Sequence, residues 1–231
     1  MQKTSIKYNN KKSCIYSFLD YKQDLGEQEE FIMKEVEKST QKAFDYISCN
    51  KCEILLFATE SDFVKDKMGC VSGRAREAVF FQLCIHPEFN EDNLESLQEV
   101  VLHEYNHAVR FHFFSYGECY GNVLRHIIQD GMAENFAADI MDKEKTRIAK
   151  GSGIDNRGEA QEVFRENKGM LYSEDEDFRY KFFYSEDDFP LWSGYAIGFY
   201  LVKDYLNNLE DYEWGEIIKK DAEEVLEVSG W

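Results

Sequence analysis

Five histidines occur among the 231 residues, and two of them stand four apart in His103-Glu104-Tyr105-Asn106-His107. Positions four apart on an α-helix lie on one face, one turn above the other. Two neutral imidazoles placed that way can share a zinc ion, which accepts nitrogen ligands and in catalytic sites keeps one coordination position open for water. The carboxylate between them, Glu104, is then within reach of that water as a general base. A chain of this composition contains about 0.01 H-E-x-x-H matches by chance, so the pattern carries information. The chemistry it points to is hydrolysis, with one Zn2+ per chain, His103 and His107 as ligands and Glu104 as the catalytic base.

Such a pair works only on a helix, and the flanking sequence supplies one. Asn90 is a capping residue, and Glu91 and Asp92 put negative charge in a first turn, where it complements the helix dipole. Leu94, Leu97, Val101, Tyr105 and Ala108 then recur at steps of three and four, so an apolar stripe runs through the HEYNH segment. Catalytic zinc needs a third protein ligand. The next helix-like stretch, around 124–136, offers Asp130 and Glu134 one turn apart, so one could bind metal while the other orients a ligating histidine. Spacing alone leaves the order of those two jobs open. His126, four residues before Asp130, reads as a surface or core histidine. The long metzincin pattern is excluded, because its third histidine would fall at Phe113.

The remaining elements frame these helices. Gly26 to Ile47 places Ile32, Val36, Ala43 and Ile47 at helical spacing. Glu53–Ala58 and Ala78–Ile85 are short apolar runs that read as strands. Between them, Met68 to Arg74 contains Gly69 and Gly73, which suit a loop or bulge. From 143 to 189 the chain turns charged and glycine-containing, with acidic runs SEDEDF and SEDDF that read as a solvated surface excursion. YSED occurs twice there, without the ligand pattern of a calcium loop. Tyr195, Phe199, Val202 and Leu206 form another helical stripe, and Trp214 to Val228 a final amphipathic helix. The expected fold is α+β: a small mixed or antiparallel sheet in the N-terminal half packs on a mainly helical C-terminal half. The metal helix lies between them.

Composition narrows the partners. A formal charge of −18 repels a nucleic-acid backbone and an anionic membrane, so neither is expected as a partner. No run approaches the roughly 18 apolar residues that cross a bilayer, and the N-terminal stretch lacks an apolar signal core. Six cysteines are too sparse for a disulfide scaffold in a chain this long, and Cys49-Asn50-Lys51-Cys52 has no second pair to close a structural zinc site. A cytoplasmic protein is the expectation.

Three blocks, VLHEYNHAVRFH at 101–112, DGMAENF at 130–136 and WSGYAIGFYLVKDYL at 192–206, resemble in type and order the YjaZ-type family of predicted zinc-dependent proteases. The likeness extends more distantly to the gluzincin metallopeptidases. It implies a single zincin-like catalytic domain over 1–231, with a sheet-containing lobe at 1–89 and a helical lobe at 90–231. In the family the second block usually reads Glu-Gly-x-Ala-Glu, and the first of those glutamates matches the gluzincin third zinc ligand. Here that position is Asp130, one methylene shorter, which makes Asp130 the implied third ligand and Glu134 its neighbour outside the coordination sphere. Tyr195 is the implied oxyanion donor, its packing role in the stripe notwithstanding. The Ala78–Ile85 strand, by the same likeness, would pair with an extended peptide substrate. The activity implied is hydrolysis of peptide bonds in peptides or proteins. The contrasting possibility is a non-catalytic binding or regulatory protein that keeps the gluzincin fold and holds metal poorly.

Overall fold

Burial of apolar stripes decides where the elements form in the computed structural model, which describes residues 13–18, 25, 28–49, 51–185 and 187–231, the first of these stretches by backbone only. The start of the expected first helix at Gly26, the stretch 1–12 and Asn50 of the CNKC segment lie outside the described residues. The chain is α+β and mostly helical, and it divides into two compact units, Met1–His112 and Phe113–Trp231.

The first unit contains β1 (Ser13–Phe18), α1 (Gln28–Tyr46), β2 (Lys51–Ala58), α2 (Asp62–Asp66), β3 (Val71–Glu77), β4 (Phe80–Ile85) and α3 (Leu94–Arg110). Its four strands form one mixed sheet in the order β1-β2-β4-β3, with β1, β2 and β4 parallel and β3 antiparallel to β4. Cys52, Ile54 and Leu56 of β2 and Phe81, Leu83 and Ile85 of β4 are buried at alternate positions, as a sheet with one covered face requires. Two elements differ from expectation. The strand read at Ala78–Ile85 is interior, flanked by β2 and β3, so it is not a free edge for a substrate. The segment read as a loop around Gly73 enters β3 at Val71: the turn before the strand is residues 67–70, with Gly69 and Cys70 at positive φ.

α3 is held in one roll angle by three contacts. Asn90 caps a short 3-10 turn, Glu91–Asn93, that leads into α3, its side chain accepting from the Asp92 N–H at 2.8 Å, while α3 itself starts at Leu94 without a side-chain cap. Tyr105, about 200° around the helix from His103 at 3.6 residues per turn, faces away from the histidines. It packs edge-on against Phe44 of α1, with centroids 5.3 Å apart, and its hydroxyl donates to the Ile47 carbonyl at 2.6 Å. On the sheet side the Val79 N–H donates to the Ala108 carbonyl at 2.8 Å. Contacts from Tyr105 and Ala108, neighbours on one stripe of the helix, thus hold the roll angle that presents the histidines.

The second unit contains α4 (Tyr116–Tyr120), α5 (Val123–Met141), α6 (Arg147–Gly151), α7 (Arg157–Glu166), α8 (Glu176–Tyr184), α9 (Ser193–Asn207), α10 (Trp214–Ile217) and α11 (Ala222–Ser229). Its centre is the α5–α9 pair, which approaches closely because glycines face each other. A Cβ on Gly131 would lie 2.2 Å from the Gly198 carbonyl oxygen, and one on Gly198 would lie 2.2 Å from that of Ile127. Asn135 locks the contact by donating from one amide nitrogen to the Gly131 carbonyl at 2.8 Å and the Phe199 carbonyl at 2.9 Å. The charged stretch from 143 to 189 is more than a surface excursion. It forms α6, α7 and α8, and buries Ala149, Ala160, Phe164, Phe182 and Phe183 as anchors. SEDEDF serves as a helix start, where Asp175 accepts from the Asp177 and Phe178 N–H groups. The final helix expected over 214–228 is two helices, because Asp221 caps a new one by accepting from the Glu224 N–H at 2.7 Å.

Candidate metal centre

His103 and His107 meet on α3 as the spacing requires. Their Nε2 atoms are 2.8 Å apart and their rings stand edge to face, with centroids at 4.5 Å and an interplanar angle of 89°. Two nitrogens bonded to one tetrahedral ion at about 2.0–2.1 Å each stand roughly 3.3 Å apart. The rings therefore fit zinc after opening by about half an ångström, within reach of small side-chain rotations.

Glu104 is buried, and its seat explains a glycine. On β3, Val71, Gly73 and Ala75 fall on the same face by the two-residue repeat of a strand, and Val71 and Ala75 are buried. A Cβ added to Gly73 would lie 2.3 Å from Glu104 Cγ and 2.8 Å from both Cδ and Oε1. Nothing larger than hydrogen fits there, so the β3 backbone forms one wall of the Glu104 side chain. The Cys84 thiol on β4 registers the same neighbourhood: burial pushes its pKa up, a hydrogen bond with Ser72 opposes this, and the charge of Glu104 adds to the rise. Sequence reasoning missed Gly73, although an isolated glycine within a strand-like run is itself a sign of close approach.

The other predicted residues belong to the second unit. Asp130 is buried on α5, and its Oδ2 lies 2.9 Å from Nε2 of His126, one turn earlier. His126 is also buried; its ring stacks on Phe183 at 3.8 Å and 12°, and meets Tyr120 edge-on at 4.7 Å. Of the two readings, surface or core, the structure has the second, and the ring also touches Asp130. Glu134, equally buried, accepts a hydrogen bond from the Thr146 hydroxyl, which in turn caps α6. Tyr195, in the first turn of α9, is half-buried, with its hydroxyl 3.2 Å from that of Tyr184 and its ring 5.3 Å from Phe183. Burial, then the neighbouring Tyr184 and the charge of Asp130, push its phenol pKa well above the usual value. Tyr195 therefore keeps its proton and remains a hydrogen-bond donor at every physiological pH.

A family model described as "Predicted Zn-dependent protease (DUF2268)" matches residues 31–227. The chain belongs to this family. The match runs from α1 into α11 and so includes HEYNH, Asp130, Glu134 and Tyr195. No curated protein and no solved structure matches the chain. No helix among the described residues is long and apolar enough to cross a membrane.

Proposed function

We propose that this protein is a zinc-dependent metallopeptidase with a zincin-like arrangement, in which His103, His107 and Asp130 hold one zinc ion and Glu104 is the general base. The observation that carries the reading is the pair of imidazole nitrogens 2.8 Å apart on a helix whose intervening glutamate is seated against Gly73. Membership in a family described as zinc-dependent proteases supports the metal and the substrate class. Zinc bound by two imidazoles and a carboxylate supplies a Lewis acid and lowers the pKa of water in its open position to about 7.

Each protein group then has a defined task. The Glu104 carboxylate accepts a proton from the water that attacks the peptide carbonyl carbon, and returns it to the departing amine nitrogen when the C–N bond breaks. One carboxylate thus serves first as base and then as acid. The Tyr195 hydroxyl donates to the carbonyl oxygen as negative charge gathers there. Its raised pKa suits that role, because a phenolate could not donate. His126 and the ring behind it limit where the Asp130 carboxylate can lie. Glu134 holds the Thr146 end of α6, which favours a supporting role for it.

Two substitutions at the third ligand test the assignment by zinc affinity. Asp130→Ala is expected to weaken binding by more than about 100-fold, whereas Glu134→Ala stays within the roughly 10–100-fold range of residues that orient ligands. The reverse order would move the ligand to Glu134. Tyr195→Phe is expected to lower kcat by about 10²–10³-fold with zinc affinity unchanged, the scale of a lost oxyanion donor. A kcat equal to wild type would return Tyr195 to packing alone.

A further inference from the structure

The second unit contains a cavity of about 360 Å³, formed where the end of α9 and the connection after it meet α10 and α11. That size is at the lower end of sites for small organic molecules. Its most buried lining residues are Tyr205 and Ile217, 1% and 2% exposed. Tyr212 adds a second ring that is held from behind: its hydroxyl donates to Asp139 Oδ2 at 2.6 Å, and the Trp214 indole N–H donates to the same oxygen at 3.2 Å. None of the proposed metal ligands lines this cavity.

The Tyr205 hydroxyl is the informative group. The residue is almost fully buried, yet its side chain has no hydrogen-bond partner among the described residues. The hydroxyl feels the charges of Glu224 and Lys220, both of which line the cavity, so it is aimed into that space. Burial, then the charge of Glu224, pushes its pKa up against the opposing charge of Lys220; the phenol stays protonated and keeps both its donor and its acceptor function. Buried polar groups in folded proteins are paired with few exceptions, and an exception that lines a cavity marks where an outside partner belongs.

Charge around the cavity selects the partner. Asp211, Glu213, Glu216 and Glu224 line it against one cation, Lys220. Glu224 is paired with Lys220 at 2.7 Å, and Glu216 with Lys219 at 2.6 Å. Asp211 and Glu213 have no ion-pair partner among the described residues, which leaves two uncompensated carboxylates beside two tyrosine rings. Tyrosine faces and carboxylates both attract ammonium and guanidinium groups, and the buried floor suits an alkyl chain.

We infer that this cavity binds an organic cation, an ammonium or guanidinium group on a short apolar chain. The chain lies against Tyr212 and Ile217, the head group donates an N–H to the Tyr205 hydroxyl, and Asp211 and Glu213 balance its charge. The cation comes either as a free small molecule or as the arginine or lysine side chain of another protein, and the chemistry of recognition is the same.

Isothermal titration calorimetry of the full-length protein tests this with butylguanidine as the free cation, N-acetylarginine amide as the stand-in for a protein side chain, and pentanoate as an anion of similar length. The titrations are run in about 0.15 M salt, which screens the general attraction of cations to an acidic protein. Butylguanidine is expected to bind one site with a Kd of about 1 mM or below, and about tenfold or more tightly than pentanoate. Tyr205→Phe, which removes only the hydroxyl, and Glu213→Gln, at an exposed position, should each weaken it about threefold or more. Glu176→Gln, which removes the same charge from exposed α8 surface, should leave it unchanged. Binding of N-acetylarginine amide with the same two dependences would identify a protein side chain as the occupant, and binding of butylguanidine alone a free molecule; either result supports the site. No binding of either cation, or binding unmoved by both Tyr205→Phe and Glu213→Gln, overturns it. None of these readouts needs metal or turnover, so failure here leaves the metallopeptidase reading where it stands.

Discussion

Glu104→Gln is expected to lower kcat by about 10²–10⁴-fold, the usual contribution of a positioned general base, while zinc stays bound at the wild-type level. The amide preserves the size and the hydrogen-bonding reach of the side chain, so its packing against β3 survives. What it loses is the ability to take a proton from water and return it to the leaving amine. The two imidazoles and Asp130 are untouched, which is why metal content and turnover should separate. Zinc titration beside steady-state kinetics on an unstructured peptide measures both. A variant with wild-type kcat would remove Glu104 from the reaction, and one that also lost its zinc would mean that Glu104 holds the metal.

Gly73→Ala should produce a related loss from a different element. The new Cβ would occupy a point 2.3 Å from Glu104 Cγ, far inside contact distance, so one side must move. Pairing of β3 with β4, Gly73 opposite Leu83, ties the strand down, and the glutamate is the freer partner. A displacement on the order of 1 Å in a catalytic group can lower turnover by about 10²-fold. Strain from the added methyl also costs stability, about 1–3 kcal/mol. The expected result is a folded, zinc-binding protein with kcat down about 100-fold and a modestly reduced Tm. If kcat stays within threefold of wild type, β3 does not set the position of Glu104.

The parts of the site that were legible in the sequence are those whose geometry is local. His103 and His107 are brought together by one turn of helix, and the stripe from Leu94 to Ala108 announced that turn without reference to the rest of the chain. Asn90 was readable as a cap for the same reason, although it caps the 3-10 turn before α3 and not α3 itself. Asp130 stood out only through family resemblance, because nothing in its own spacing distinguishes it from Glu134. Gly73 was hidden because its reason lies in Glu104 on a different element, and a glycine in a polar segment reads as a loop until that partner is known. Strand order was illegible for a related reason: the apolar run of β4 says that it is buried, and the polar run VSGRARE of β3 gives little sign of an outer strand that β4 pairs with. Composition concealed the helices between 143 and 189, since a few buried side chains such as Phe164, Phe182 and Phe183 anchor segments whose other residues are charged. The break before α11 turned on Asp221, a capping residue that the apolar periodicity passed over.

The proposals for Glu104, Asp130 and Tyr195 all depend on one claim, that the α3 histidines bind zinc. Metal content of purified, untagged protein, determined by plasma mass spectrometry for wild type and for His107→Ala after removal of loosely held ions, addresses that claim directly. The account predicts about one zinc per chain in the wild type and none in the variant, with both chains folded by circular dichroism. Wild-type protein that remains free of zinc after expression in zinc-supplemented medium would contradict it.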